Sequence, residues 1–191
     1  MTPKPLTALK KNNLQRVWSG PVRVLHWALV ASVAAAWFTS SRIGPVHEWL
    51  GYAAAAVAAL RVAWGFAAHG DRYARFAQFV RPARATLPYA RAVLQHQAPR
   101  YIGHNPLGGW MVVGLLACVA ALGVTGALYT TDWLWGYAWL ANLHEALGWL
   151  LLALIALHLG GVAYTSWAHR ENLVGAMVTG AKAAPQPGDV S

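Results

Sequence analysis

Four histidines carry the chemistry this sequence offers: His26, His47, His144 and His158. Each falls inside an apolar stretch or at the end of one, where an ionisable side chain is expensive and needs a partner or a task. Fourteen residues separate His144 from His158. On one helix that interval is about 21 Å of rise and within about 40° of four whole turns, so both side chains face one direction at two depths. His26 lies about one turn into its own stretch and His47 opens the next. Depth therefore pairs His26 with His158 at one level and His47 with His144 at the other. An imidazole nitrogen is a strong axial ligand for haem iron, and histidines from two facing helices put one ligand on each side of a flat ring. A lone histidine near a helix end can sit at the interface and bind nothing, but four at matched depths point to two haems.

An internal echo surrounds the pairs. His47-Glu-Trp-Leu-Gly51-Tyr reads against His144-Glu-Ala-Leu-Gly148-Trp, so Gly51 and Gly148 each stand four residues after a ligand, on its face. A glycine there lets a macrocycle approach the backbone. Ala54 and Ala58 continue the small face, although ordinary helix packing uses the same residues. Fourteen residues after His47 the echo places Arg61 opposite His158. A guanidinium at that depth calls for an anion, and the propionates of a b-type haem supply two. Arg61 is thus the candidate partner of the inner haem, with Arg23 the alternative, and Arg42 the candidate for the outer one. Snorkelling to lipid phosphate is the competing reading of these cations.

The elements that must position these groups are membrane helices. Of 191 residues, 57% are hydrophobic and 11% charged, and mean hydropathy is +0.37; a soluble domain carries about 25% charged residues. Apolar stretches at 21–39, 46–67, 106–129 and 140–167 are each long enough to cross a hydrocarbon core about 30 Å thick. Eleven tryptophans and seven tyrosines suit a protein with two interfaces to anchor. The first stretch holds His26 and lacks a small-x-small exit, so it reads as a mature helix rather than a cleaved signal. A single cysteine, Cys118, excludes an internal disulfide, a thioether-linked haem and a cysteine-held cluster.

The expected fold is an all-α integral membrane four-helix bundle binding two b haems. Residues 1–20 form an N-terminal arm, 21–167 the di-haem domain, and 168–191 a juxtamembrane segment with a disordered end. Within the domain, the Arg-rich connection 68–103 is either a helix along the interface or a solvated loop. Lysine and arginine set direction: five stand in the arm to Arg23, six between 68 and 103, and two after 167, against Arg42 alone in the other two loops. Both termini are expected in the cytoplasm. The net charge of +9 is then a topology signal, and nucleic acid is not an expected partner.

Several runs resemble one family. Val22-Arg-Val-Leu-His26-Trp, Gly103-His-Asn-Pro-Leu-Gly108, the His144 to His158 interval and Glu171-Asn-Leu-Val-Gly-Ala-Met177-Val-Thr-Gly-Ala-Lys182 are together similar to the bacterial cytochrome b561 and NiFe-hydrogenase b-type cytochrome superfamily, over about residues 17–182. The resemblance implies a four-helix bundle holding two b haems through four histidines, with electrons passing to or from the quinone pool. Its ligand positions fall on the four histidines that depth selects. Hydrogenase-linked members are often longer, so no hydrogenase partner is assigned.

The function expected is a di-haem conduit in the bacterial inner membrane, between a periplasmic redox partner and membrane quinone. With both axial positions filled, electron transfer is favoured over oxygen binding. A quinone pocket is expected beside one haem; His104, Asn105 and His169 are polar groups near the inner face that could line it, and interfacial caps or lipid contacts are their competing and favoured reading. A rival is a self-standing superoxide oxidase, found among short members of the family, although Glu48, Asp132 and Glu145 outnumber Arg42 outside and would not steer an anion inward. A histidine-lined transporter of transition metals is a third reading. The sequence is compatible with a homo-oligomer and does not specify one.

Overall fold

A computed structural model describes residues 14–41 and 44–191. Arg42 and the arm's Lys4, Lys10 and Lys11 lie outside the described residues. A short strand β1 (Leu14–Arg16) leads into helix α1 (Gly20–Thr39), followed by α2 (Pro45–Ala67). A 3₁₀ turn (Arg72–Ala74), α3 (Phe76–Phe79) and α4 (Ala83–Leu94) fill the connection to α5 (Pro106–Tyr129). Helix α6 (Ala138–Ala168), α7 (Leu173–Thr179) and strand β2 (Ala181–Ala183) complete the chain. The four helices of 20, 23, 24 and 31 residues are each long and apolar enough to cross a membrane. Their ends lie within two residues of the apolar stretches, because the stretches carry their own start signals. Ser19 Oγ accepts from Val22 N at 3.5 Å with Pro21 behind it, and Asn105 Oδ1 accepts from Gly108 N at 2.7 Å with Pro106 at the first turn.

Packing runs α1 on α2, α2 on α5 and α5 on α6; α1 against α6 is not among the principal helix pairs. Correspondingly, only 6% of the spanning windows of α1 and α6 is buried, against 22% in α2 and α5. The bundle is thus closed on one side and loosely joined along the α1/α6 seam, where Trp37 meets Trp149 edge-on at 5.3 Å. On the closed side Ala54 and Ala58 are buried with Leu116, Val119 and Leu151, and a Cβ on Gly123 would stand 2.7 Å from Ala55 Cβ. Ala54 and Ala58 therefore serve helix packing, the second of their two readings.

A second core caps the end of the bundle that carries the long connection: Val17, Trp18, Val22, Tyr73, Ile102 and Ala176 are buried together. The connection 68–103 is largely helical rather than a bare loop, with Tyr89 of α4 turned inward and Arg84, Leu87, Arg91 and Leu94 outward. Phe79 of α3 is fully buried against α5, and a Cβ on Gly109 would stand 2.3 Å from the Phe79 carbonyl oxygen. Backbone cannot yield as a side-chain tip can. Gly109→Ala is expected to destabilise the protein by roughly 1–3 kcal/mol, read as a fall of several degrees in melting temperature, whereas Gly114→Ala, where an added Cβ meets nothing within 4 Å, leaves it unchanged.

The end of the chain departs from the expected disorder. β1 pairs antiparallel with β2, Leu14 opposite Ala183 and Arg16 opposite Ala181. Arg100 binds Glu171 at 2.7 Å and also Asp189, while Lys182 Nζ reaches Glu171 at 3.0 Å. Val190 N donates to Arg100 O at 2.8 Å and Ile102 N to Val190 O at 3.0 Å. Proline and glycine content predicts a free tail, but Asp189 is a counter-ion of a half-buried arginine and the backbone beside it forms an isolated parallel bridge, Val190 with Tyr101. Burial pushes the Glu171 carboxyl up, and the Arg100 and Lys182 contacts outweigh it, leaving the group below the usual carboxylate range.

Candidate functional site

His47 stands in the first turn of α2 and His144 two turns into α6. Their ring centroids are 6.2 Å apart, with planes at 84°. One metal ion between two imidazole nitrogens, at about 2 Å from each, sets the centroids roughly 6 Å apart. Hydrogen bonds fix which nitrogen is free. His47 Nδ1 is 3.0 Å from the Ala36 carbonyl of α1, and a carbonyl only accepts, so Nδ1 carries the proton. Thr125 Oγ1 of α5 donates to Ala121 O at 2.9 Å and accepts from His144 Nδ1 at 2.9 Å. In the neutral imidazole this leaves Nε2 of each ring as the free nitrogen, without a partner among the described residues, the state in which a histidine ligates metal.

The surroundings leave room on the same faces. A Cβ on Gly51 would meet nothing within 4 Å, and one on Gly148 only Trp37 at 3.7 Å. On Gly126 it would press against His144 Cε1 at 3.3 Å, so this glycine spares the His144 ring. Among the described residues no three His, Cys, Asp or Glu converge on a metal position. Two imidazoles suffice for an iron whose remaining ligands come from a porphyrin, and fall short for a bare ion that needs four. The His47–His144 pair fits haem.

At the other level His26 and His158 are half-buried on α1 and α6, along the loosely joined seam. Their rings do not touch each other; His26 lies edge-on to Trp27 at 5.2 Å. Arg61 is 7% exposed, with its guanidinium 5.4 Å from the Phe76 ring centre. Its Nη2 donates to Ala74 O at 3.3 Å and its Nη1 has no partner among the described residues. Arg23 Nε, Trp64 Nε1 and His104 Nδ1 are further enclosed nitrogens at this end without partners among the described residues. Two enclosed acceptors, Asp71 Oδ2 and Gln78 Oε1, are also unpartnered, and Asp71 forms no ion pair with Arg61. Arg23 differs from Arg61 in that its Nη1 is spent on Val178 O at 2.5 Å. Unpaired buried donors next to a buried guanidinium suit carboxylates such as haem propionates, and Arg61 is the better placed of the two arginines.

His104 is the residue that sequence reading undervalued. It lies between Trp18 at 4.7 Å and Phe79 at 4.4 Å rather than at a lipid surface. Burial, and then the charges of Arg61, Lys182, His158 and His26, push its imidazole down to about 3, so it is neutral at pH 7. The Gly103-His-Asn-Pro run was visible, but a histidine one residue before a capping asparagine reads as surface until α3 folds over it. Asn105 does cap α5, and His169 closes α6 through its N–H to Thr165 O at 3.0 Å. Thr125, which orients His144, offered no signal beyond a polar residue in an apolar helix.

The family model described as prokaryotic cytochrome b561 matches residues 17–180 of the chain. No curated protein matches the chain.

Proposed function

The chain belongs to the prokaryotic cytochrome b561 family, and from that premise we propose that it is a di-haem conduit carrying electrons between a periplasmic redox partner and quinone in the inner membrane. The observation that carries this reading is the outer pair, with rings at 6.2 Å and both Nδ1 atoms engaged. His47 and His144 would hold one b haem, and His26 and His158 the other. When bound, a haem with two imidazole ligands supplies a one-electron iron couple and no open coordination position. The protein's part is to fix ligand tautomers through Ala36 O and Thr125, to admit the macrocycle beside Gly51 and Gly148, and to meet carboxylates with Arg61, Trp64 and His104.

Direction follows from the cations: Arg72, Arg75, Arg81, Arg84 and Arg91 all stand in the connection between α2 and α5, the end that the positive-inside rule assigns to the cytoplasm. His26 and His158 then lie inside and His47 and His144 outside. A reporter fused at the C-terminus is expected to behave as cytoplasmic and one inserted near Asp132 as exported; the opposite pattern reverses the two labels.

The direct test is a pyridine haemochrome assay on the purified chain with a reduced-minus-oxidised spectrum. Two b haems per chain are expected. One haem, or none, overturns the reading; none together with bound transition metal would favour a transporter.

A further inference from the structure

A cavity of about 550 Å³ opens between the C-terminal ends of α4 and α6, walled by Tyr89, His96, Tyr164, Trp167, His169 and Arg170. No carboxylate is among its lining residues. Among the described residues, the two non-glycine positions with left-handed backbone are His96 (φ 55°) and Arg170 (φ 50°), and both stand on this wall. Each is the residue just past a helix, where glycine is the usual choice. The hydrogen bonds are those of that turn: His96 N to Val93 O at 3.1 Å and Gln97 N to Ala92 O at 2.8 Å, then Arg170 N to Trp167 O at 3.3 Å and Glu171 N to Ser166 O at 3.0 Å. Two strained positions on one cavity, each filled by a cationic or protonatable side chain in place of glycine, indicate that the side chains are used.

His96 Nδ1 lies 3.3 Å from Tyr164 Oη, so the open cation on this wall is Arg170. The Arg170 side chain forms no hydrogen bond or ion pair among the described residues, and the adjacent Glu171 is already held by Arg100 and Lys182. The Tyr89 ring is buried, yet its hydroxyl has no partner there; burial, with Tyr101 and Tyr164 beside it, pushes it up to about 12, so it remains a donor. Burial and the Arg100 charge lower the His169 imidazole, which leaves Arg170 as the main positive charge in the cavity. Trp167, 71% exposed at the end of a spanning helix, marks the level of lipid headgroups.

We propose that this cavity binds the phosphate of an anionic phospholipid, with Arg170 as its counter-ion and Tyr89 as a hydrogen-bond donor, and that the lipid fastens amphipathic α4 to the inner end of α6. Donors without a single acid select an anion, and the depth selects one attached to acyl chains. A neutral ring such as a quinone headgroup offers the exposed guanidinium no charge to pair with, whereas a phosphate offers a charge-assisted hydrogen bond. Within the protein α4 is tied to α6 by Tyr164 Oη, which donates to Val93 O at 3.0 Å. The lipid adds a second tie.

Native mass spectrometry of the haem-loaded protein tests this, with phosphatidylglycerol, phosphatidylcholine, inorganic phosphate or a short-chain quinone added after delipidation. One tightly retained phosphatidylglycerol per chain is expected. Arg170→Gly relieves the backbone strain, so the variant folds, and it is expected to weaken retention about five- to tenfold, since one cation near a lipid surface contributes about that factor. Arg84→Gln, on the outward side of α4, should leave retention unchanged. Equal retention by Arg170→Gly, equal loss in Arg84→Gln, binding of phosphatidylcholine or inorganic phosphate as tight as that of phosphatidylglycerol, or displacement of the lipid by quinone would each overturn the assignment.

Discussion

His144→Ala is expected to leave about one haem per chain, and His158→Ala to leave the other, so that the two variants retain spectrally different cofactors. His144 and His158 sit on one helix with a rise of about 21 Å between them, and each has its own partner on a different helix. At the outer level His144→Ala removes both a ligand and the ring that occupies Thr125, while His47 stays anchored on Ala36 O. One imidazole cannot hold a haem as two do. At the inner level Arg61, Trp64 and His104 remain after His158→Ala, so residual weak haem is expected there. Haemochrome quantitation of membranes expressing each variant, with reduced-minus-oxidised spectra, reads the outcome. If each variant lost both haems in part while the protein stayed folded by circular dichroism, the two-level arrangement would be wrong.

The parts of this architecture that sequence discloses are those written in local physics. Four spans follow from apolar length, and their starts from Ser19, Pro21, Asn105 and Pro106. The four histidines stand out because imidazole in an apolar stretch needs a reason. What escaped was set by tertiary contact. His104 becomes enclosed only when Phe79 and Trp18 close on it, and the tautomer of His144 depends on Thr125 from a different helix. The small face after His47 divides: Gly51 keeps open space while Ala54 and Ala58 pack on α5, a distinction that periodicity does not encode. The chain's end is held by Asp189 on Arg100, a pairing across 89 positions that local composition does not reveal.

Purified protein supplied with quinone is expected to consume little superoxide, and to transfer electrons rapidly only when a periplasmic redox partner docks. The reason is the outer surface. Asp132 and Glu145 are exposed there with Glu48 half-buried beside them, and among the described residues no lysine or arginine offsets them at that end. An acidic rim slows an anionic substrate and speeds a basic protein, and such steering is worth about 10- to 1,000-fold in association rate. Exposed Trp133, Trp135 and Trp139 sit beside the acids and offer apolar contact area to a docked protein or to lipid. If docking is electrostatic, haem reduction by the partner should fall steeply between low and physiological salt, because surface charges are screened over about 8 Å at 0.15 M. A superoxide oxidase behaves in the opposite way: the isolated chain suffices, and removing a cation rather than an anion disables it. Anaerobic stopped-flow reduction of the haems by superoxide, with wild type and Arg42→Ala, separates the two. Fast reduction of the isolated wild-type chain, lost in Arg42→Ala, would convert the conduit into a superoxide:quinone oxidoreductase using the same four histidines.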